Sequence, residues 1–169
     1  DVVHIRRPAQ VPDHLTVIDS SLSMYFRPDS GNLTLVALED DSRLDEPAEK
    51  DLGYVAKDFV ERAIDRICAR IPAMEQGSLH SSHVGRDGLT PDQRAIIGQA
   101  GPEGYFLATG FSGTGFKLSP AVGLCVSELI LDGKSKTVDI SGFDPMRFER
   151  GEQLKGENDY GFIWRTESK

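Results

Sequence analysis

The chain has 169 residues, of which 38% are hydrophobic and 27% charged, with 17 glycines and 9 prolines. This is ordinary globular composition, and it excludes disordered, collagen-like and disulfide-scaffold classes. The net charge of −8 and a pI near 5.0, with no basic stripe, argue against nucleic acid as a partner.

The first forty residues read as β-structure. Runs at 15–18, 22–27 and 33–38 are rich in Val, Leu, Tyr and Phe. Pro28-Asp29-Ser30-Gly31-Asn32 between the last two forms a turn, which predicts an antiparallel hairpin with Tyr25 and Arg27 near its end. A phenol and a guanidinium there suit a carboxylate, and they equally suit the polar edge of a sheet. Asn32-Leu33-Thr34 matches a glycosylation sequon and, with no secretory signal, reads as a turn entering a strand. His4 and His14 are expected in loops. Residues 39–50 are acidic and polar and read as a solvated loop.

Residues 51–71 carry the strongest periodic signal. Leu52, Val55, Ala56, Phe59, Val60, Ala63, Ile64, Ile67, Cys68 and Ile71 form one apolar stripe down a helix. Asp58 and Arg62 stand four apart on its polar face, and Pro72 stops it. This helix is a packing element without chemistry. Residues 78–84 alternate weakly, as a strand does. They carry His80 and His83, which would then face opposite sides, and no acid or cysteine completes a metal shell around them.

Residues 94–98 are a short apolar stretch, 100–104 a turn, and 105–109 a short buried strand. Gly110-Phe111-Ser112-Gly113-Thr114-Gly115-Phe116-Lys117 follows, then a helix with Ser119 as its N-cap, Pro120 in its first turn, and an end at Asp132-Gly133. Residues 160–164 are an expected edge strand. Cys68 and Cys125 lie far apart in predicted helices, which fits a reducing compartment and a cytoplasmic location. No apolar run approaches the ~20 residues of a membrane span. The chain lacks an initiator Met and a signal-peptide core, so it is expected to be a fragment or processed piece.

One constellation points to chemistry. Gly110, Gly113 and Gly115 let the backbone come close to a ligand, and the following helix presents free amides and the positive end of its dipole. Lys117 adds a full positive charge. A tight turn with no ligand fits the same local pattern. The spacing is neither G-x-G-x-x-G nor a P-loop, and Ser112 lacks a nucleophile-elbow context.

Several segments, in order, resemble the C-terminal half of the D-amino-acid-oxidase-like flavoenzymes, which include sarcosine and glycine oxidases. They are Tyr25-Phe26-Arg27-Pro28, Gly88-Leu89-Thr90-Pro91-Asp92 with Ile97-Gly98, the stretch from Tyr105 to Lys117 with Ser119-Pro120-Ala121-Val122-Gly123, and Asp139 with Phe143-Asp144-Pro145-Met146-Arg147-Phe148. The resemblance implies an α+β fold. An antiparallel β-sheet would pack on the long helix, beside the returning strand–loop–helix part of an FAD-binding domain. Residues 1–74 would be a substrate-domain portion, 75–150 the flavin-domain portion, and 151–169 a polar extension. It implies FAD held by Gly110, Gly113, Thr114, Gly115, Phe116 and Lys117, catalysis involving Lys117 and Tyr25, and substrate binding by Tyr25 and Arg27. The substrate would be a small amine or amino acid, oxidised at its carbon–nitrogen bond by hydride transfer to flavin.

The family's dinucleotide fingerprint is absent from this chain, so the chain alone is expected to bind FAD poorly and to need the missing N-terminal half. Residues 85–89 contain no cysteine where some members attach flavin, so attachment is expected to be noncovalent. Residues 33–38 lack the oxygen-activating lysine of some oxidases, which leaves oxidase and dehydrogenase both open. Apolar surface that once met the missing half predicts self-association or a partner subunit. The rival readings are a non-catalytic binding module that keeps the family fold and, below it, a nucleotide-phosphate binder.

Overall fold

The computed structural model describes residues 1–39 and 53–155. They form two compact units, one of residues 1–39 and 53–85 and the other of residues 86–155.

The first unit is an antiparallel sheet with one helix. Its strands are β1 (Val2–Arg6), β2 (Val17–Asp19), β3 (Met24–Asp29), β4 (Leu33–Leu38) and β5 (Ser78–His83), in the order β2-β3-β4-β1-β5. The predicted hairpin is β3–β4, with Asp29 opposite Leu33 and a turn through Gly31 and Asn32 at positive φ. Side chains alternate across the sheet, as strand geometry requires. Val3, Ile5, Met24, Phe26, Val36 and Leu38 enter the core. His4, Tyr25, Arg27 and Leu35 therefore lie on the other face.

Helix α1 (Lys57–Arg70) closes the core with Phe59, Ala63 and Ile67, each four residues from the next. Burying each of the two larger side chains contributes about 1.5–3 kcal/mol. The expected Asp58–Arg62 pair is present at 3.7 Å. The helix starts later than its stripe suggests. Gly53 sits at φ +64° and Ala56 is extended, so the chain turns before Lys57. Pro72 then opens a 3₁₀ turn, Pro72–Gln76.

Two expectations about histidines fail here. His4 lies in β1, an inner strand, and not in a loop. His80 and His83 do not face opposite sides. The β1–β5 register pairs His4 with Ser81 and Ile5 with Leu79, so His80 is skipped as a bulge. His80 then meets Arg6 at 3.2 Å and His83 packs on His4, two residues of one β1 face.

The second unit holds the two-stranded sheet β6 (Ile96–Gln99) and β7 (Phe106–Thr109), helix α2 (Gly115–Asp132), and 3₁₀ turns at Ser141–Phe143 and Pro145–Arg147. Strand β7, expected to be buried, is half-exposed at Phe106 and Leu107 and exposed at Ala108 and Thr109, because β6 alone pairs with it. Helix α2 begins four residues before the Ser119 cap expected for it, with Thr114 as N-cap residue. Pro120 is thus inside the helix and leaves the Phe116 carbonyl without its N–H partner. Ser119 Oγ donates to that carbonyl at 2.9 Å. The expected end holds, with Gly133 at φ +74°. Beyond it, Glu128 collects the Thr137 hydroxyl and the amides of Thr137 and Lys136, which hold its pKa at about 2. The α+β architecture is the one expected. The edge strand expected at 160–164 lies outside the described residues.

Candidate functional site

The site begins where β7 ends. Gly110 takes φ +64°, and a Cβ there would stand 2.6 Å from Thr90 Cγ2, so only glycine lets the loop lie against Thr90. Ser112 is buried with φ +50°. Its amide donates to Gly88 O at 3.1 Å and its hydroxyl accepts from Thr90 N at 3.3 Å. Ser112 is thus a clamp for the loop and not a nucleophile. Gly113, at φ +79°, is exposed and turns the chain into α2.

The loop rests on a buried ion pair. Arg147 donates from Nε to Asp92 Oδ2 at 2.9 Å and from Nη2 to Asp92 Oδ1 at 3.0 Å, and both side chains are at most 2% exposed. Arg147 also donates to the carbonyls of Arg94, Phe143 and Asp144. Burial pushes the Asp92 carboxyl up, but the Arg147 hydrogen bond, the amides of Leu154 and Arg94, and the Arg147 charge hold it at about 2. Thr90 Oγ1 lies 3.2 Å from Asp92 and donates to Arg94 O. Arg147, Asp92, Thr90 and Ser112 therefore fix the loop from below. Sequence reasoning gave none of them this role, since the pair spans 55 positions with no local signal.

At the amino end of α2 no side chain caps the helix, and the Asp87 carboxylate stands beside Gly113 in the loop that leads into it. The Thr114 hydroxyl donates to Phe111 O at 2.7 Å and does not cap the helix. The first turn contains no acid, and it contains Lys117. A lysine opposes the helix dipole at this end, at a cost of about 0.3–1 kcal/mol. The arrangement is intrinsically unfavourable and becomes favourable when negative charge sits before it. Phe116 is 97% exposed beside it. Gly110, Gly113, Thr114, Gly115, Phe116 and Lys117 are thus one continuous strand-end, loop and helix-start.

Tyr25 and Arg27 belong to the first unit. They stand two apart on β3, on the face away from the core, with Tyr25 half-buried and Arg27 exposed. Arg27 Nη1 donates to Pro28 O at 3.2 Å, and Nη2 stands 3.6 Å from Asp29 Oδ2. Cys68 and Cys125 are free thiols. Burial, then Glu75 and Asp65, push the Cys68 thiol up, which makes it a poor nucleophile. Among the described residues, no three His, Cys, Asp or Glu side chains are placed to hold a metal ion. No described helix is long and apolar enough to cross a membrane.

Comparison with known proteins adds to this geometry. A family model described as FAD dependent oxidoreductase (DAO) matches residues 2–129. The chain is 35% identical over 144 residues to FAD-dependent oxidoreductase domain-containing protein 1 of Xenopus laevis, covering 84% of this chain and 29% of that protein. It is 33% identical over 101 residues to human mitochondrial sarcosine dehydrogenase, covering 58% of this chain and 10% of that one. Among solved structures it resembles L-proline dehydrogenase from P. horikoshii, with a TM-score of 0.78 and 27% identity over 90% of this chain and 40% of that chain. The chain spans less than a third of the length of these two curated relatives.

Proposed function

Because the chain belongs to the DAO family of FAD-dependent oxidoreductases, we propose that it is the C-terminal part of a flavoenzyme that oxidises the carbon–nitrogen bond of a small amine or amino acid. Bound FAD supplies the acceptor of the hydride. Residues 1–74 are its substrate-domain portion, 75–150 the returning part of its flavin domain, and 151–169 a polar extension. The observation that carries the reading is the amino end of α2, which no side chain caps and whose first turn holds Lys117 and no acid.

Those donors fit the pyrimidine end of a flavin, where negative charge gathers on reduction, and preorganised positive potential of this kind is a large catalytic term. Gly110 and Gly113 bring the backbone to the ring, and Thr114, Gly115, Phe116 and Lys117 face it. Tyr25 and Arg27 orient the substrate, and Lys117 also meets a substrate carboxylate. Relatives named for sarcosine and L-proline support an amino-acid substrate. FAD is held noncovalently, since residues 85–89 offer no cysteine. Free thiols suit the reducing cytoplasm. By itself the chain holds FAD poorly, because the dinucleotide fingerprint lies outside it.

A visible spectrum of the full-length protein tests the reading. Flavin bands that bleach on adding an amino acid without oxygen are expected. A colourless full-length protein that takes up no added FAD overturns it and leaves a binding module that keeps the fold.

A further inference from the structure

The loop that leads into α2 has an acid beside it as well as Lys117 after it. A Cβ on Gly113 would have one heavy atom within 4 Å besides its own chain neighbours, Asp87 Oδ2 at 3.7 Å. The space over Gly113 is therefore open, with the Asp87 carboxylate at its border. Asp87 is exposed, but the chain next to it is held. Gly88 O accepts from the Ser112 amide at 3.1 Å, and the Thr90 amide donates to Ser112 Oγ at 3.3 Å. Asp87 thus keeps its place against the loop although its side chain has no hydrogen-bond or ion-pair partner among the described residues.

We propose that Asp87 tunes the flavin from the side opposite in sign to Lys117: its carboxylate opposes the gathering of negative charge on the reduced ring and holds the reduction potential below the value that Lys117 and the helix end alone would give. The proposal rests on the reading that Gly113 lies against the pyrimidine end of FAD. A hydride brings one negative charge to the ring system that receives it. A cation beside that charge favours reduction, and an anion beside it disfavours reduction. With Asp87 present, the reduced ring is a stronger reductant toward its acceptor and exerts a weaker pull on the incoming hydride.

An acid near the start of a helix also has a purely structural use, since it favours the helix dipole. The two roles differ in what they move. A structural acid affects thermal unfolding and leaves the flavin unchanged, whereas a tuning acid changes the potential through its charge.

The full-length protein loaded with FAD is reduced without oxygen beside a reference dye, and the ratio of reduced to oxidised flavin at a fixed potential is read from the visible spectrum. Asp87→Asn, an exposed change that spares the core, should raise that ratio about threefold, the effect of one charge at a largely hydrated position. This is about 14 mV in a two-electron couple, at about 30 mV per tenfold. Asp87→Glu keeps the charge and should keep the wild-type ratio. In a Lys117→Met background, Asp87→Asn should raise the ratio by the same factor, because the two charges act on the ring separately. An Asp87→Asn protein whose ratio is unmoved or falls, an Asp87→Glu protein that shifts as far as Asp87→Asn, or an effect that vanishes in the Lys117→Met background overturns the proposal. A full-length protein that takes up no FAD, or a Lys117→Met protein with an unmoved ratio, overturns instead the placement of the loop at the ring.

Discussion

A buried arginine must have its N–H donors met, and Arg147 meets them from one carboxylate and three carbonyls while its guanidinium stacks on Phe148 at 4.1 Å. Asp92 is matched in the same way, by Arg147 and by the amides of Arg94 and Leu154. Removing one partner strands the other in a place water does not reach. Asp92→Asn should therefore cost about 3 kcal/mol in denaturant unfolding, the range for breaking a buried pair. The same residue sets an acid limit. Its native pKa of about 2 lies below the ordinary 3.8, so ionised Asp92 favours the folded state. That contribution, about 2 kcal/mol, is complete above the ordinary value and is lost as pH falls from about 4 to 2. Acid unfolding of Asp92→Asn should lack this component, and overlaid pH titrations of the two proteins would check it.

Helix α2 shows how an element can be built against its own stability. Its first turn holds Lys117 and no acid, and the side chain of its N-cap residue Thr114 does not cap it. Lys117→Met should leave thermal unfolding unchanged or raise it slightly, because an unfavourable charge–dipole contact disappears. It should also make the reduction potential of the full-length flavoprotein more negative by about 30 mV, equivalent to about 1.4 kcal/mol in a two-electron couple. A loss of stability with no change in potential would identify Lys117 as a packing residue. How far such elements can be foreseen depends on where their signals lie. The stripe of α1 and the β3–β4 hairpin are local patterns, and both were legible. The start of α2 was not, because Ser119-Pro120 imitates a cap while its hydroxyl in fact repairs the ladder at Phe116. Strand β1 was hidden because His4 and Arg6 break its apolar run on the outer face. The glycine loop was legible as a candidate site. Its support by Asp92 and Arg147, and the meeting of His4 with Asp29 across β4, exist only once the chain has folded.

At the scale of the whole chain, apolar exposure is the dominant unresolved force. On α2, Phe116 is 97% and Leu131 81% exposed, with Leu124 and Ile130 about half-exposed. Among the described residues of this helix only Cys125 is buried, while Val122, Val126 and Leu129 are partly covered. Each such side chain contributes roughly 1.5–3 kcal/mol once fully covered, so several together provide a strong drive to associate. If the chain is part of a longer flavoprotein, as proposed, the remaining domain would cover that surface. In the 169-residue chain alone it should drive self-association, even though a net charge of −8 opposes close approach of copies. Light scattering on the separated chain is expected to show oligomers that strengthen with added salt, because screening removes the repulsion while the apolar drive remains. Leu131→Glu should shift the population toward monomer without loss of helix content, since that side chain is 81% exposed. A chain that stays monomeric at high salt, with Leu131 unaltered, would mean that these side chains find cover within a single copy.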